Sequence, residues 1–226
     1  MNDDKKETEN NVKIDNKTFD NLGLGDELLR GIYSYGFEEP SNIQSLSVPI
    51  INKKKDLIAQ AQSGTGKTGA YTIGCLNNII KDERSLQLLV LLPTRELVFQ
   101  VFDVFNEISK YMDLRIIKVI GGTNVNDCKA DLRTDPHIVI GTPGRVLDMI
   151  TQNCLYTDKI NMLVLDEADE ILSSGFSESL YNIIKCTPVK CNILLFSATI
   201  PDEILTLTEK ILNNPEKILV NKEELT

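Results

Sequence analysis

Three short motifs, each at the end of a run of apolar residues, constrain this chain more than any other feature of its sequence. In chain order they are Ala61-Gln-Ser-Gly-Thr-Gly-Lys-Thr68, Asp166-Glu-Ala-Asp169 and Ser197-Ala-Thr199. Apolar runs that alternate with amphipathic segments are typical of a parallel sheet with helices on both faces. Ligands of such sheets bind at the carboxyl ends of the strands. We therefore expect the loops that carry the motifs to meet at one edge of the sheet.

The apolar runs also predict the order of the elements. Strands are expected at residues 56–60, 86–92, 115–120, 137–140, 162–165, 193–196 and 218–220. Helices are expected after Gly66, at 201–212, and at 96–111, where apolar side chains recur at helical spacing. Residues 1–17 are polar and charged, which predicts a disordered tail. Residues 18–220 are predicted to form one α/β domain with a doubly wound, mostly parallel sheet.

The composition of the 226 residues is that of a soluble globular protein, with 42% hydrophobic and 25% charged residues. A formal net charge of −9 argues against a protein that holds nucleic acid by bulk charge, although it permits local contacts. No apolar run is long enough to span a bilayer, so we expect no membrane contact. The expected location is the cytoplasm or the nucleus.

Cysteine and histidine residues offer little support for a metal site. The five cysteines are scattered and include no C-x-x-C pair, which favours reduced, mostly buried thiols over a zinc site or a disulfide framework. His137 is the only histidine. No supporting residues accompany it, so it is predicted to be a residue at a strand edge.

The first motif has the composition of a loop that binds phosphate. Gly64 and Gly66 let backbone N–H groups curl around phosphate oxygens. Lys67 adds a positive charge for the β- and γ-phosphates, and Thr68 offers a hydroxyl to Mg²⁺. The strict pattern begins with Gly, whereas this chain has Ala61. The alternative, an incidental Gly-rich turn, is disfavoured by the strand before the motif and the helix after it.

The second and third motifs add carboxylates and hydroxyls at two further strand ends. Asp166 can hold Mg²⁺, mainly through water, and Glu167 can orient or deprotonate an attacking water. The hydroxyls of Ser197 and Thr199 can bond to Asp169 and sense the state of the nucleotide. Taken singly, the second motif could be an acidic helix start and the third a turn or a helix cap. Their order after apolar strands favours a nucleoside triphosphate site.

Together these motifs resemble those of the DEAD-box RNA helicases, and the resemblance covers nearly all of residues 19–226. Further motifs of that family are Gly36-Phe37 with Pro40 and Ile43-Gln44, preceded by Phe19; Pro93-Thr-Arg-Glu-Leu97; Gly121-Gly122; and Thr142-Pro-Gly-Arg145. The family also has Ala where Ala61 stands. Residues 19–44, 121–125 and 136–150 are most similar to the subfamily of translation initiation factor 4A and its nuclear paralogue. The resemblance implies a RecA-like fold and an ATP-dependent RNA helicase.

For ATP and Mg²⁺, the resemblance implies that Gln44 reads the adenine edge and that Phe37 stacks on the base. Lys67, Asp166 and Glu167 are the implied catalytic residues, and Lys67 also binds ATP. The other implied ATP-binding residues are Gln62, Ser63, Gly64, Thr65, Gly66 and Thr68. From the residues alone, Phe37 would be a core residue and Gln44 a surface residue.

For RNA, the resemblance implies contacts to the sugar–phosphate backbone that are blind to sequence. The implied residues are Pro93, Thr94, Arg95, Gly121, Gly122, Thr142, Pro143, Gly144 and Arg145. Taken singly, each Arg is as well explained by a solvated helix start, and Gly121-Gly122 by a turn from strand to helix. The family also implies a monomer and a scaffold partner of the initiation factor 4G type.

The family's activity requires two RecA-like domains, the second of which supplies arginine fingers. Nothing after residue 199 resembles that second domain. Residues 221–226 are therefore predicted to begin an interdomain linker, and the chain alone is expected to bind ATP weakly, to hydrolyse it poorly and not to unwind RNA. The alternative is a freestanding module that binds nucleotide or a partner without helicase activity. A different P-loop protein, such as a GTPase, leaves Gln44 and the residue 93–97 motif unexplained.

Overall fold

The structure is a computed structural model, and it describes residues 18–220. The strands in this range are β1 (Leu57–Ala61), β2 (Leu88–Leu91), β3 (Ile116–Val119), β4 (Ile138–Gly141), β5 (Met162–Asp166), β6 (Asn192–Ser197) and β7 (Glu216–Val220). The helices are α1 (Asp26–Tyr35), α2 (Asn42–Asn52), α3 (Lys67–Leu76), α4 (Arg95–Ser109), α5 (Val125–Leu132), α6 (Pro143–Thr151), α7 (Ala168–Ile171), α8 (Ser177–Cys186) and α9 (Asp202–Ile211). The expectations for residues 1–17 and 221–226 lie outside the described residues.

The seven strands form one sheet in the order β3-β4-β2-β5-β6-β1-β7. Every neighbouring pair is parallel, so the carboxyl ends of all seven strands lie at the same edge. This arrangement confirms the predicted α/β class with a doubly wound parallel sheet. It also brings together loops that are far apart in the sequence.

The two faces of the sheet are covered by different helices. Helices α1 to α4 pack over one face, where Val90 and Phe196 belong to the first hydrophobic core. Helices α5 to α9 pack over the other face, where Leu89 and Leu195 belong to the second core. Successive strand residues alternate between the two cores because side chains in a strand point to opposite faces. Both faces are apolar, which is why the strands could be predicted as continuous apolar runs.

The predicted strands all occur, with bounds that differ by up to two residues. Asp56, for example, stands just before β1 rather than in it. Its carboxylate accepts hydrogen bonds from the backbone N–H groups of Ile193 and Asn213, at 2.9 and 2.7 Å. Asp56 therefore ties β1 to the start of β6 and to the segment that leads into β7.

His137 and three of the five cysteines, none of which was expected to be catalytic, are buried. His137 is buried directly before β4; its Nδ1 accepts the Arg115 N–H at 3.0 Å, and its Nε2 lies 3.1 Å from the Lys81 carbonyl oxygen. All five cysteines are free thiols, and Cys75, Cys128 and Cys191 are buried. None of the helices between residues 18 and 220 has the length and hydropathy needed to cross a bilayer.

Candidate functional site

The order of the strands separates the motif loops into two neighbouring groups. The loops after β1, β5 and β6, which are adjacent strands, carry the three motifs expected to bind nucleotide. The loops after β3, β4 and β2, also adjacent, carry the motifs expected to bind RNA. β2 and β5 are hydrogen-bonded neighbours in the middle of the sheet, so the two groups meet there.

The nucleotide loop connects β1 to α3 and depends on glycine at two positions. Gly64 and Gly66 have φ angles of 84° and 97°, a region that side chains other than glycine rarely adopt. The Thr65 hydroxyl donates to the Gln62 carbonyl at 2.8 Å and closes the loop. Helix α3 begins at Lys67, so its free N–H groups face the space that a phosphate would occupy.

Lys67 and Glu167 join the first motif to the second. The Lys67 Nζ lies 3.0 Å from the Glu167 Oε1, and the lysine side chain is only 6% exposed. Glu167 itself has a left-handed backbone with φ 48° and ψ 53°, a conformation that costs about 1 kcal/mol or more for a residue with a side chain. The expected meeting of these two loops is present in the structure.

Asp166, at the end of β5, is 4% exposed, and both of its carboxylate oxygens have a partner. Oδ2 accepts the Tyr71 hydroxyl at 2.7 Å, and Oδ1 accepts the Glu167 N–H at 3.0 Å. Burial raises the pKa of the Asp166 carboxyl to about 6. The hydrogen bond from Tyr71 and the charge of Lys67 act against this rise in pKa, whereas the charge of Glu167 adds to it.

The third motif contacts the last residue of the second one, as the sequence suggested. The Thr199 hydroxyl and N–H donate to the Asp169 Oδ2 at 2.6 and 3.1 Å, and the Asp169 N–H donates to the Ser197 Oγ at 3.2 Å. Partial burial acts to raise the pKa of Asp169, but these hydrogen bonds outweigh it and hold the pKa below its usual value. The loops after β5 and β6 are thereby locked together.

A groove of about 360 Å³ opens beside the nucleotide loop. Its polar wall contains Lys67, Thr68, Asp166 and Glu167, together with Ser63, Gly64, Gly66 and Gly69. Its apolar wall contains Tyr35, Phe37 and one face of α4, namely Leu97, Val101 and Val104, with Gln100 among them. A concave site with an apolar wall and a few convergent polar groups is typical of a small-molecule site.

The structure places the two adenine-binding candidates differently. Phe37 lies on the groove wall, with Tyr35 edge-on to it at 4.9 Å between ring centroids. Gln44 is 3% exposed, so it is not the surface residue that its polar side chain suggested without the family resemblance. Its Nε2 donates to the Gly66 carbonyl at 3.3 Å, and its Oε1 accepts the Ser41 N–H at 2.9 Å. In this conformation the Gln44 amide therefore braces the nucleotide loop.

Two residues on the groove wall, Thr68 and Asp166, suit a magnesium ion that takes few ligands from the protein. Among residues 18–220 no three His, Cys, Asp or Glu side chains are grouped so that they could hold a metal by themselves. Thr68 and Asp166 instead offer oxygen atoms on the groove wall, next to the loop expected to hold phosphates. Mg²⁺ prefers oxygen ligands and commonly takes most of them from water and substrate phosphates. The donor set therefore fits the ion.

The loops expected to bind RNA present two arginines in different states. Arg95, the first residue of α4, is exposed, and its guanidinium lies directly over Gly122. Arg145 is 12% exposed at its side chain. Its two terminal nitrogens donate to the Thr123 carbonyl at 3.3 and 3.4 Å, and its Nε lies 3.7 Å from Asp148 Oδ2. In this conformation Arg145 holds the loop after β3.

The other RNA candidates occupy helix starts at the same edge. The Thr94 hydroxyl accepts the Leu97 N–H at 3.3 Å and caps α4. Thr142 and Pro143 are buried at the start of α6, and Gly144 is exposed there. Pro93 is buried, whereas Gly121 is half-buried. Helix N-termini are suited to bind phosphate in general, and the RNA-binding roles of these residues stay predictions.

Sequence reasoning missed three residues of this region: Tyr35, Gln100 and Tyr71. Tyr35 and Gln100 line the groove, and Tyr71 holds Asp166. Tyr35 directly precedes the Gly36-Phe37 pair, and this position could have predicted that it lies near the groove. Gln100 breaks the apolar spacing of α4, but only the packing shows which way it points. Nothing in the local sequence relates Tyr71 to Asp166.

The parallel sheet and the glycine-rich loop before α3 define a RecA-like nucleotide-binding domain. A sequence model of the family described as DEAD/DEAH box helicase matches residues 41–207, and the chain belongs to that family. It is 48% identical over 208 residues to "ATP-dependent RNA helicase eIF4A" of Candida albicans, which covers 92% of this chain and 52% of that protein. Over 210 residues it is 46% identical to "Eukaryotic initiation factor 4A" of Caenorhabditis elegans. That match covers 93% of this chain and 52% of the relative. The chain thus spans about half the length of these curated relatives.

Solved structures share the fold. A DEAD box protein from the hyperthermophile Methanococcus jannaschii is similar with a TM-score of 0.84 and 35% identity, over 89% of this chain and 55% of that one. Dbp5 of S. cerevisiae bound to RNA and ADP BeF3 is similar with a TM-score of 0.84 and 32% identity. The match covers 93% of this chain and 54% of Dbp5. These likenesses support the RecA-like fold in the described part of the chain.

Proposed function

We propose that this chain is the ATP-binding half of an ATP-dependent RNA helicase, one that couples ATP binding and hydrolysis to clamping of RNA and local unwinding of short duplexes. The observation that carries the proposal is the order of the strands. The nucleotide loops after β1, β5 and β6 lie beside the candidate RNA loops after β2, β3 and β4. A change at one group of loops can therefore reach the other through the neighbouring strands β2 and β5.

In the proposed nucleotide site, Lys67 exchanges partners. In the structure its ammonium pairs with Glu167. When a triphosphate enters, the ammonium turns to the β- and γ-phosphates, and Glu167 is released to orient a water and accept its proton. Mg²⁺, held by Thr68 and Asp166 with water, would supply positive charge to the phosphates. Phe37 and Tyr35 offer aromatic faces for the base.

In the proposed RNA site, Arg95 and the helix starts at Thr94 and Thr142 hold phosphates. Arg supplies charge and bidentate geometry, and helix N–H groups add further donors. None of these groups addresses a base edge, so binding is independent of sequence. Dbp5, which shares this fold, has been solved with RNA bound.

The similar proteins named as initiation factor 4A suggest a role in translation initiation. In that role the protein would act in the cytoplasm as a monomer on a scaffold of the initiation factor 4G type. A nuclear role of the kind expected for the paralogue would use the same chemistry with other partners.

The test is ultraviolet crosslinking of single-stranded RNA to the chain, followed by mass spectrometry of the crosslinked peptides. We expect crosslinks in the segments 93–95, 121–123 and 142–145, and we expect them with RNAs of unrelated sequence. Crosslinks confined to other surfaces, or none at all at low salt, would contradict the proposed RNA site.

A further inference from the structure

Tyr71 lies one helical turn beyond the nucleotide loop and is completely buried. Its ring packs in the first hydrophobic core, with centroids 5.2 Å from Phe196 and 6.2 Å from Phe105. A phenylalanine would fill this space equally well. A tyrosine at a fully buried position usually has a partner for its hydroxyl, because an unpaired buried hydroxyl is destabilising.

The partner of that hydroxyl is Asp166, at 2.7 Å. The two residues are 95 positions apart in the sequence, and the bond joins α3, which follows the nucleotide loop, to the end of β5. Thr68 lies three residues before Tyr71 on the same helix, so their side chains share one helix face. Burial and Asp166 raise the pKa of the Tyr71 phenol, and a hydrogen bond with the side chain of Thr68 acts to lower it. The phenol thus stands between the two residues expected to offer oxygen atoms to Mg²⁺.

The hydrogen bond restricts how the Asp166 carboxylate can turn. Oδ2 is held by the phenol from the core side, and Oδ1 is held by the N–H of Glu167. Rotation of the carboxylate would break both bonds inside a buried site, where unpaired polar groups are costly. The lone pairs that remain free are therefore presented in a fixed direction, towards the groove.

We propose that Tyr71 is a positioning residue that fixes the Asp166 carboxylate for the magnesium ion of the bound nucleotide. This inference rests on the proposed nucleotide function, but it assigns to a core residue a role that the family motifs do not contain. The phenol touches neither ATP nor the ion. It acts through Asp166, by keeping one carboxylate orientation before the ligand arrives.

The test is Tyr71→Phe in the 226-residue chain, a change that removes one oxygen atom and keeps the ring. Binding of a fluorescent, non-hydrolysable ATP analogue is measured across a series of Mg²⁺ concentrations. We expect the Mg²⁺ concentration for half-maximal enhancement of binding to rise about tenfold, the loss that one charge-assisted hydrogen bond implies. Affinity for the analogue without Mg²⁺ should not change.

Two further comparisons separate positioning from packing. Tyr111→Phe removes a phenol oxygen that bonds to Ser34; neither residue lines the groove, so this variant should keep the Mg²⁺ dependence of the wild type. In a double-mutant cycle, Tyr71→Phe added to Asp166→Asn should cause no further change in Mg²⁺ dependence, because the phenol acts only through that carboxylate.

An unchanged Mg²⁺ dependence in folded Tyr71→Phe would overturn the inference while leaving the nucleotide site in place. Additive effects in the cycle would also overturn it. If the variant loses its fold, as seen by circular dichroism, the phenol serves the core and the inference is wrong. A wild-type chain whose nucleotide binding gains nothing from Mg²⁺ would overturn both this inference and the proposed function.

Discussion

Lys67 and Glu167 form an ion pair between two loops that are 100 positions apart in the sequence. The ammonium is almost fully buried, and a buried charge without a partner is strongly destabilising. The pair therefore ties the loop after β1 to the loop after β5. The same contact holds Glu167 next to the place where the γ-phosphate is expected.

At the scale of this residue pair, we predict that Glu167→Gln separates ATP binding from hydrolysis. The amide is a similar size but a far weaker base, so hydrolysis should slow by about 10²–10⁴-fold. ATP affinity should be retained or increased, because Lys67 no longer pairs with a carboxylate. Single-turnover hydrolysis of labelled ATP with excess protein would measure this, with Glu170→Gln on the exposed side of α7 as the control. Normal hydrolysis by Glu167→Gln would remove Glu167 from the chemistry.

The two arginines lead to a second prediction at the residue scale. Arg95 is exposed, so Arg95→Ala should remove a phosphate contact and flatten the slope of log K for single-stranded RNA against log salt by about 0.7. The Arg145 guanidinium donates to the Thr123 carbonyl. Arg145→Ala should therefore weaken RNA binding by loosening the loop after β3, without changing the salt slope. RNA titrations at several salt concentrations distinguish the two. An equal change of slope in both variants would show that Arg145 turns to the phosphates.

Among the helices, α1 and α4 pack unusually closely. A side chain added at Gly31 of α1 would overlap the backbone carbonyl of Ile108 in α4. Backbone atoms cannot turn aside as a flexible side chain can, so the contact requires glycine at this position. α4 also provides the apolar wall of the groove, so the position of α1 supports the nucleotide site.

We therefore predict that Gly31→Ala destabilises the chain by about 1–3 kcal/mol, as overpacking does. Helix propensity alone would predict the opposite sign, a gain of about 0.5–1 kcal/mol for replacing glycine inside a helix. Urea unfolding followed by circular dichroism measures the difference. Gly121→Ala is the control, because a side chain there meets no atom within 4 Å. A stabilised Gly31→Ala variant would show that α1 moves freely on α4.

The elements differ in how well the sequence predicted them. The strands were predictable because both of their faces are buried, so almost every residue is apolar. Helix bounds for α1, α2, α5, α6, α7 and α8 were not predicted. Gly31 lies inside α1 and Pro49 inside α2, and both residue types disfavour a helix interior. α5 has only two buried residues and therefore a weak apolar pattern. Their positions depend on contacts with the sheet rather than on local pattern.

For the whole molecule, the position of each motif after an apolar strand predicted that the motif loops meet at one edge of the sheet, and the structure agrees. What the sequence could not provide is how side chains are shared between motifs. Gln44 braces Gly66, Arg145 holds Thr123, and Tyr71 holds Asp166. Each contact joins residues at least 22 positions apart and forms only when the sheet and its helices are assembled.

At the same scale, we predict that the 226-residue chain hydrolyses ATP slowly even with RNA. Among residues 18–220 no arginine lines the groove beside the nucleotide loop, and an arginine finger contributes about 10³–10⁵ to such rates in other phosphoryl-transfer proteins. Steady-state turnover with RNA should therefore be at least about 10³-fold below that of the Candida albicans relative assayed alongside. Comparable turnover by the two proteins would show that the chain needs no further residues for catalysis.

The central claim is that the loops after β1, β5 and β6 form one site for a magnesium-bound triphosphate. Calorimetric titration of the chain with ATP and Mg²⁺ tests it most directly. Lys67→Ala is compared with Lys81→Ala, because the Lys81 ammonium pairs with the exposed Glu27. We expect saturable binding by the wild type and by Lys81→Ala, and affinity weaker by at least about tenfold in Lys67→Ala. Absence of binding by the wild type, or equal affinity in Lys67→Ala, would contradict it.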